Sequence, residues 1–345
     1  MPSPKQQAEL PANVTAAAAG AAAPEPGDQV LIDRLREMMA DRDKGGTQRR
    51  DVHCKMHGLM RAEFTVTGDV PTELRQGIFA QPGIYKAWVR FSNAANVVKP
   101  DSARDIRGMA IKLMGVPGPK LLQAEADATT QDFILISAPR FPTRTAGEFD
   151  GLVAAVIGNL WAKLSYFLTH PRVAWILLTT MIRHANVLQI SYFSAVAYGL
   201  GPYVVKYVAT PSVQFTDATP DTPTENFLRQ RAAAQLTQGD AVFDFSVQLQ
   251  RDEACMPMDD PRVTWPVDLS PPRKVATLRI LQQQFDTEAI DQYAEVLAYT
   301  PWHSLQAHRP LGSINASRKL IYETLSAYRH QANHSRSHEP SDWEV

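Results

Sequence analysis

Four segments with the composition of β-strands follow one another between Asp51 and Ser137, and turn-forming clusters such as GDVP, QPG and GVPGPK separate them. The segments are VHCKMHGLMRAEFTVT, IYKAWVRFSN, RGMAIKLMG and DFILIS. Strand-like patterns resume at VFDFSVQLQ and KVATLRILQQ. The first of these alternates Phe243, Phe245 and Val247 with polar residues, as a strand buried on one face does. Strands joined by short turns pair with their neighbours along the chain, so this pattern favours an antiparallel sheet.

Residues 151–208 lie between these two groups of strands and have a different pattern. They contain GLVAAVIGNLWAKLSYFL, VAWILLTTMI and ISYFSAVAYGL, which predict three helices of a buried helical subdomain. A membrane span needs ~18 uninterrupted apolar residues. No run here reaches that length, and we expect no membrane span. The residues that interrupt the runs are Lys163, His170, Arg172, Arg183 and His184.

The remaining segments complete a single predicted domain over residues 28–330. The segment FDTEAIDQYAEVL and a last segment at about 315–329 predict helices. The fold class is therefore α+β: one mainly antiparallel β-barrel with helices packed outside it and a helical subdomain. The Ala- and Pro-rich residues 1–27 predict a mobile arm, and the polar residues 331–345 predict a disordered tail.

Charge and cysteine content limit the possible functions. The chain has 35 Lys and Arg against 36 Asp and Glu, a net charge of -1, which argues against an extended nucleic-acid surface. Two cysteines, Cys54 and Cys255, are too few for a disulfide framework and are typical of a reducing compartment. The first residues lack the charged-then-apolar pattern of a secretory signal. We expect a cytoplasmic protein.

The last predicted helix carries a stripe of chemically useful residues. Arg318, Tyr322, Leu325 and Arg329 lie on one helix face because they are spaced i, i+4, i+7 and i+11. An arginine one turn from a tyrosine can favour its phenolate, which is a hard ligand for ferric iron. Arg329 could pair with a carboxylate such as a haem propionate. Considered by itself, the helix is better explained as a solvated basic face with an exposed tyrosine.

The segment RRDVHCKMHG carries two histidines, His53 and His57. A neutral imidazole that faces an open metal position can take a proton from peroxide and return it to the leaving oxygen. A histidine in a strand is more often a hydrogen-bonded structural residue. Strand parity places both histidines on one face unless a bulge at Gly58 intervenes, so parity leaves the choice between them open.

The strand IYKAWVRFSN presents two different faces. Alternation places Trp88, Arg90 and Ser92 on one face and Val89 and Phe91 on the other. One of the two faces must look into the barrel. An arginine that points inward would need an anionic partner, because an unpaired buried charge is costly.

Taken in order, these segments resemble the haem catalases. RRDVHCKMHGLMRAEFTV resembles the catalase segment that begins with an arginine and the distal histidine, and this similarity selects His53 over His57. VRFSN resembles the strand with a propionate-binding arginine and the serine that supports the distal histidine. SARDIRGMAIKL shares the Arg-Asp-x-Arg-Gly core of the family. RKLIY has the Arg-x-x-x-Tyr spacing of the proximal ligand, and Arg329 follows the tyrosine by seven residues, as in catalases.

The resemblance implies a haem b cofactor and roles for nine residues. On the proximal side and at the propionates, Tyr322 would be the axial iron ligand, Arg318 would support its phenolate, and Arg50, Arg90 and Arg329 would bind the propionates. 

On the distal side, His53 would be the catalytic acid and base, and Ser92 would orient it. Phe141 would lie near the porphyrin, and Phe133 would be a second distal aromatic residue.

Two departures from the family pattern affect the expected activity. Catalases have an Asn-Asn-Thr-Pro stretch that supplies a distal amide, whereas residues 128–131 here read Ala-Thr-Thr-Gln. The chain is also shorter than a typical catalase subunit and resembles the small bacterial catalase-related haem proteins. We therefore expect a haem-dependent peroxidase that cleaves the O–O bond of hydrogen peroxide or an organic hydroperoxide. Its partners would be a small organic reductant or a lipid hydroperoxide, and it could form a homo-oligomer.

Two alternative functions remain at this stage. A non-enzymatic haem-binding protein would share Tyr322, but His53 and Ser92 favour an enzyme. A fatty-acid hydroperoxide isomerase or lyase is the other alternative. Some such relatives have a threonine directly before the distal histidine, whereas Val52 stands here, as in catalases.

Overall fold

The computed structural model describes residues 27–213 and 217–345. The predicted mobile arm therefore lies outside the described residues, apart from Gly27, which begins the first helix. The described residues form nine strands: β1 (Met56–Val66), β2 (Gly83–Asn93), β3 (Arg107–Met114), β4 (Thr130–Ile136), β5 (Tyr192–Phe193), β6 (Tyr198–Leu200), β7 (Tyr203–Pro211), β8 (Ala241–Leu249) and β9 (Arg273–Ile280).

All strand pairs of the described sheet are antiparallel, and the sheet closes on itself. The order is β5-β4-β3-β2-β1-β9-β8-β7-β6. Because β5 also pairs with β7, eight strands form a closed ring and β6 lies beside β7 outside it. Closure removes the unpaired strand edges that promote aggregation. The predicted antiparallel β-barrel is confirmed.

The interior of the barrel is a packed aromatic core. Phe243, Phe245 and Val247 of β8 are fully buried, as their alternation predicts. The rings of Phe64 and Phe133 each lie with their centroids 5.0 Å from that of Phe245, in edge-to-face arrangements. Such contacts favour aromatic packing over an open lumen. The barrel therefore has no room for a ligand among these rings, and a binding site must lie outside it.

Seven helices surround the barrel in the described part of the chain: α1 (Gly27–Arg42), α2 (Ala146–Ile157), α3 (Leu160–Thr169), α4 (Pro171–Thr180), α5 (Phe227–Gln238), α6 (Glu288–Val296) and α7 (Ser313–Ala332). Helices α1, α2 and α7 share an apolar cluster that includes Leu31, Leu35, Ile321 and Leu325. This cluster holds α7 outside the barrel, where its inner face can meet the strands.

The predicted helical subdomain over residues 151–208 needs two corrections. Its helices end at Thr180, and ISYFSAVAYGL forms β5 and β6 instead of a helix. The reason is tertiary, since Tyr192 and Tyr198 of this segment are buried in the core that the barrel strands share. The subdomain is also only partly buried, because α3 has no buried residue, whereas α4 buries Val173 and Ile176. Among the described residues, no helix has the length and apolar composition needed to cross a bilayer.

The polar residues 331–345, which we expected to form a disordered tail, lie against the barrel. The Glu339 carboxylate is 2.9 Å from Lys112 Nζ on β3. The indole Nε1 of Trp343 donates a hydrogen bond of 3.0 Å to the carbonyl oxygen of Ala87 on β2. The charged and aromatic side chains of this segment thus find partners on the strands, which composition does not indicate.

Candidate functional site

A cavity lies between the outer face of β2–β4 and the helices α1 and α7. About 780 Å³ of space between atoms lies within it, including open solvent at its mouth. Its walls come from the segment before β1, from β2, β3 and β4, from the loop after α6 and from α7. The residues that line it are Met39, Arg50, Asp51, Val52, His53, Arg90, Ser92, Gly108, Met109, Ala110, Ile134, Leu135, Ala298, Tyr299, Ile321, Tyr322, Leu325, Ser326 and Arg329.

Strand β2 explains why the cavity is outside the barrel. Val89 and Phe91 point into the barrel core. Arg90 and Ser92, on the opposite face of the strand, line the cavity. The outward face thus carries the polar groups, where they can meet residues of α7 and the segment before β1 without disturbing the aromatic interior.

Tyr322 lines the cavity and is paired with Arg318 on the same helix. Arg318 Nη2 donates a hydrogen bond of 3.1 Å to Tyr322 Oη, and Arg318 Nη1 donates one of 3.1 Å to Asn315 Oδ1. A guanidinium has only donors, so the phenol oxygen must act as the acceptor. Burial opposes the charge of Arg318, but the phenol oxygens of Tyr322 and Tyr198 raise its pKa above the ordinary value. This arrangement favours an electron-rich Tyr322 oxygen.

The interpretation of this stripe as a solvated basic face is wrong. Arg329 is only 2% exposed and lies in the cavity wall. Tyr322 is half-buried and packs against the apolar cluster of α1, α2 and α7. The helix face defined by the i, i+4 spacing therefore points towards the cavity and the apolar cluster, not towards solvent.

His53 and Ser92 form a hydrogen-bonded pair in the cavity wall. His53 Nδ1 is 3.0 Å from Ser92 Oγ. His53 precedes β1 rather than lying in it and has a φ of 58°, a region that non-glycine residues adopt rarely. Gly108 makes room for the ring, since a Cβ at that position would lie 2.6 Å from both Nδ1 and Cε1 of His53. The position of the His53 ring thus requires a glycine at position 108.

The electrostatics keep His53 neutral. Burial, together with the positive charges of Arg90, Arg318 and Arg50, lowers the pKa of its imidazole to about 3. A neutral imidazole at physiological pH can accept a proton. The backbone of the same residue is held in place, because Arg90 Nη2 donates a hydrogen bond of 2.9 Å to the carbonyl oxygen of His53.

The second histidine of the segment lies elsewhere. His57 is fully buried, and its Nε2 is 2.6 Å from Asn93 Oδ1. A register shift between Met56 and Gly58 lies at His57, inside β1. The irregularity for which we allowed next to Gly58 is therefore present, and His53 precedes the strand, so strand parity does not relate the two histidines.

Three arginines crowd one end of the cavity around a single carboxylate. Glu295 Oε1 is 3.3 Å from Arg50 Nη1, and Glu295 Oε2 is 3.4 Å from Arg329 Nη1. Burial would raise the pKa of Glu295, but these guanidiniums and Arg90 hold it below its ordinary value. Burial, and after it the charge of Arg50, lowers the pKa of both Arg90 and Arg329 to about 9. Three positive charges against one negative charge give this end of the cavity a net positive charge.

Two polar atoms near this end are buried without a hydrogen-bond partner among the described residues. They are Nε of Arg90 and Oη of Tyr299. Buried polar groups are nearly always hydrogen-bonded in native proteins. Both residues line the cavity, so these atoms indicate a site for an anionic or polar ligand group.

The structure does not bring the two predicted aromatic residues to the cavity. Phe133 is 3% exposed and points into the barrel, where it packs against Phe245. Its neighbour Ile134 lines the cavity instead, because successive residues of a strand face opposite sides. Phe141 packs against Phe149 with the ring centroids 5.5 Å apart. Phe149 in turn packs against the same apolar cluster as Tyr322, so Phe141 is one residue removed from the cavity.

Sequence reasoning missed three residues of the site: Gly108, Glu295 and Tyr299. Gly108 carries a signal, because it follows the arginine of the RDIRG segment. Glu295 in α6 and Tyr299 in the loop after it carry none that local patterns reveal, since they become relevant only when this part of the chain reaches Arg50 and Arg329. No asparagine or glutamine is among the described residues that line the cavity.

The closed antiparallel barrel, the tyrosine–arginine pair and the histidine–serine pair on one outer cavity define a catalase-like protein. The chain is 30% identical over 231 residues to a catalase-related peroxidase of Mycolicibacterium paratuberculosis, an alignment that covers 61% of this chain and 69% of the relative. It therefore belongs to the catalase superfamily. No protein-family profile matches the chain.

Solved structures support the same fold. A bacterial catalase superposes with a TM-score of 0.69 at 18% identity, covering 97% of this chain and 67% of its own. A fungal catalase gives a TM-score of 0.68 at 16% identity, covering 88% of this chain and 63% of its own. Catalase A from Saccharomyces cerevisiae gives 0.67 at 17% identity, covering 86% of this chain and 65% of its own. The chain thus spans about two thirds of the length of these catalases.

Proposed function

We propose that the protein binds haem b in this cavity and cleaves the O–O bond of hydrogen peroxide or of an organic hydroperoxide. The observation that carries the proposal is that Tyr322, with its Arg318 partner, and His53, with its Ser92 partner, line one cavity. An anionic oxygen ligand and a neutral base on the walls of one pocket are the two groups that peroxide cleavage at a ferric centre requires.

The residues present fit the charge of a haem. Two propionates bring two negative charges, and the three arginines exceed Glu295 by two positive charges. Arg90 Nε and Tyr299 Oη supply donors that lack protein partners. The rest of the wall is mainly apolar, including Ile134, Leu135 and Leu325, as a flat hydrophobic macrocycle needs. Arg50, Arg90 and Arg329 are therefore the proposed propionate ligands.

The chain's own residues would handle the proton. Haem, when bound, would supply the redox-active iron at which peroxide is cleaved. His53, neutral at physiological pH, takes the proton from the peroxide oxygen nearest to it and returns it to the leaving oxygen. Ser92 holds the ring through Nδ1, which leaves Nε2 for the proton transfer. Tyr322 would hold the iron through its oxygen, and Arg318 donates a hydrogen bond to that oxygen.

The cavity wall favours a peroxidase over a full catalase cycle. In the family, an amide beside the distal histidine helps to position the second peroxide, and no amide side chain lines this cavity in the described residues. Val52, Met109, Ala110 and Ile134 instead make the wall near His53 apolar. Such a wall suits an organic hydroperoxide, with a small organic reductant as the electron donor. Losing one preorganised donor commonly lowers a rate by about 10²–10³.

The absorption spectrum and turnover of purified protein test the proposal. We expect a haem spectrum that Tyr322→Phe alters and that the matched control Tyr328→Phe, on the same helix but outside the cavity wall, leaves unchanged. Oxidation of a phenolic donor should fall by about 10²–10⁴ in His53→Ala and stay at the wild-type rate in His170→Ala, an exposed histidine.

Three outcomes distinguish the alternatives. Haem binding with equal peroxidase rates in wild type and His53→Ala would support a non-enzymatic haem-binding protein. Conversion of a fatty-acid hydroperoxide without consumption of the donor would support an isomerase or lyase. Oxygen evolution at the rate of a true catalase would contradict the argument from the apolar distal wall.

A further inference from the structure

The helices α3 and α4 expose large apolar side chains that the fold leaves uncovered. Trp161 is 78% exposed and Leu168 is 83% exposed. Both lie in α3, a helix of ten residues that has no buried side chain. Helix α4 buries Val173 and Ile176 on its other face. We call the exposed surface the hairpin face; it consists of Leu160, Trp161, Leu164, Leu168, Trp175 and Leu178.

Six large apolar side chains exposed on two consecutive short helices are unusual on a protein that faces water only. Exposed hydrophobic residues are normally scattered singly, and larger patches mark a site of interaction. The helices themselves are well formed. Asn159 caps α3 by accepting a hydrogen bond from the backbone N–H of Ala162, and Pro171 begins α4. The hairpin is therefore a folded element whose apolar face needs a partner.

The charge of this region indicates the kind of partner. Residues 151–216 contain no aspartate or glutamate. They contain Lys163, Arg172 and Arg183 in and beside the hairpin. In the described part of the chain, neither Lys163 nor Arg183 has a carboxylate within 4.0 Å. Arg172 is 3.8 Å from Asp260, and that carboxylate is already paired with Arg262 at 2.8 Å.

We propose that the hairpin face inserts into the surface of a bilayer that contains anionic lipids, without crossing it. Tryptophan and leucine side chains enter the boundary between headgroups and acyl chains, and neighbouring basic residues pair with anionic headgroups. The guanidinium of Arg140, 4.1 Å from the ring centroid of Trp175, places a further cation at the edge of the face. The inference does not depend on haem binding or on peroxide chemistry.

A second copy of the chain fits this face less well. A two-fold interface brings the same surface of both copies together. Lys163 and Arg172 would then approach their counterparts from the partner, and no acidic residue of the hairpin could compensate them. Anionic headgroups compensate all of these charges at once.

Vesicle co-sedimentation of the full chain tests the proposal. We expect binding to phosphatidylcholine vesicles that contain phosphatidylglycerol, weaker binding to phosphatidylcholine alone, and a decrease at high salt, because salt screens exposed charges. In Trp161→Ala/Leu168→Ala, the partition coefficient should fall by about tenfold or more, since binding scales with the apolar area inserted.

Matched controls separate membrane binding from a loss of structure. Ile84→Ala/Val267→Ala removes two apolar side chains that are also mostly exposed but lie elsewhere, at 67% and 59%, and should leave vesicle binding unchanged. Lys163→Gln should weaken binding only to the anionic vesicles. The circular dichroism spectrum and urea midpoint of the Trp161→Ala/Leu168→Ala variant should match wild type, because α3 buries no side chain.

Two results would overturn the proposal. The first is equal vesicle binding by the two double variants, or no preference for phosphatidylglycerol. The second is a concentration-dependent dimer that Trp161→Ala/Leu168→Ala dissociates, in a chain that binds no vesicles; this result would assign the face to a second copy.

Discussion

Two clusters of buried charge lie on the outside of the same barrel, and they are built in opposite ways. In the lysine cluster, Lys112 on β3 lies 2.9 Å from both Asp132 and Glu339. Carboxylates outnumber the cation there, and both of them contact it. In the arginine cluster, Arg50, Arg90 and Arg329 outnumber Glu295, and Arg90 has no carboxylate within 4.0 Å among the described residues.

The pKa shifts express this difference. Burial would lower the pKa of Lys112, but Asp132 and Glu339 raise it above its ordinary value. Burial and the neighbouring Arg50 lower the pKa of Arg90 and Arg329 to about 9. The carboxylates of the protein more than compensate the burial of Lys112, whereas Glu295 compensates the burial of Arg90 and Arg329 only in part. The first cluster is thus balanced within the fold, and the second fits the anionic ligand that we propose.

Removing the lysine should have the largest effect on stability. Lys112→Met leaves the buried Asp132 and the partly exposed Glu339 without their cation, and breaking a buried pair commonly costs about 3–5 kcal/mol. We expect the free energy of unfolding in urea to fall by that amount in the haem-free protein. Unfolding equal to that of wild type would show that the cluster contributes no structural pairing, and the contrast between the two clusters would fail.

Removing an arginine should instead affect the ligand. Arg90→Leu deletes a buried cation that has no carboxylate partner, so the haem-free protein should keep or gain stability. Its haem should dissociate about 10–150-fold faster, because a charge-assisted hydrogen bond is worth about 1.5–3 kcal/mol. The transfer of haem to apomyoglobin measures this rate. A large loss of stability with unchanged haem transfer would assign Arg90 to the fold.

Acidification should weaken the cavity side through His53. Its folded-state pKa of about 3 lies below the unfolded value of 6.5, so the unfolded chain binds more protons and stability falls as the pH decreases from 6.5 towards 3. Between pH 7 and pH 5 this group costs about 2 kcal/mol. His53→Gln should therefore lose about that much less than wild type over this interval in the haem-free protein.

The lysine cluster responds to acid with the opposite sign. Burial raises the pKa of Asp132 from 3.8 to about 6, despite the opposing charge of Lys112. The folded chain therefore binds a proton at Asp132 at a higher pH than the unfolded chain does, which favours folding as the pH falls through 6.

For the His53 prediction, the contradicting result is an equal pH dependence of stability in wild type and His53→Gln. It would show that His53 is not buried in its neutral form.

The smallest effect is expected for an ion pair in water. Lys86 lies 2.6 Å from Asp342, but both side chains are nearly half exposed. Exposed pairs contribute little because solvent screens them. Lys86→Met should leave the urea midpoint unchanged within error, although its pairing distance is shorter than that of Lys112. A large loss would mean that pairing, rather than burial, controls stability in both places.

Much of the fold and part of the site could be predicted from local patterns. The strands β1–β4, β8 and β9 and the helix α7 follow from alternation, turn clusters and helical spacing. Arg318 and Tyr322 were expected to meet because they are one helical turn apart. The choice of His53 over His57 came from family resemblance. Strand parity could not have selected His53, because its left-handed backbone does not belong to a strand.

The sequence by itself determined the α+β class, the polar and apolar faces of the strands and the pairing of Arg318 with Tyr322, because each depends on the backbone geometry of neighbouring residues. Only the tertiary structure decided which face of β4 points into the barrel, and so excluded Phe133 from the cavity. It also decided that ISYFSAVAYGL forms strands, that Glu295 reaches the arginines and that the hairpin face stays uncovered. These outcomes depend on packing between segments far apart in the chain, and no local pattern encodes which distant surface a residue will meet.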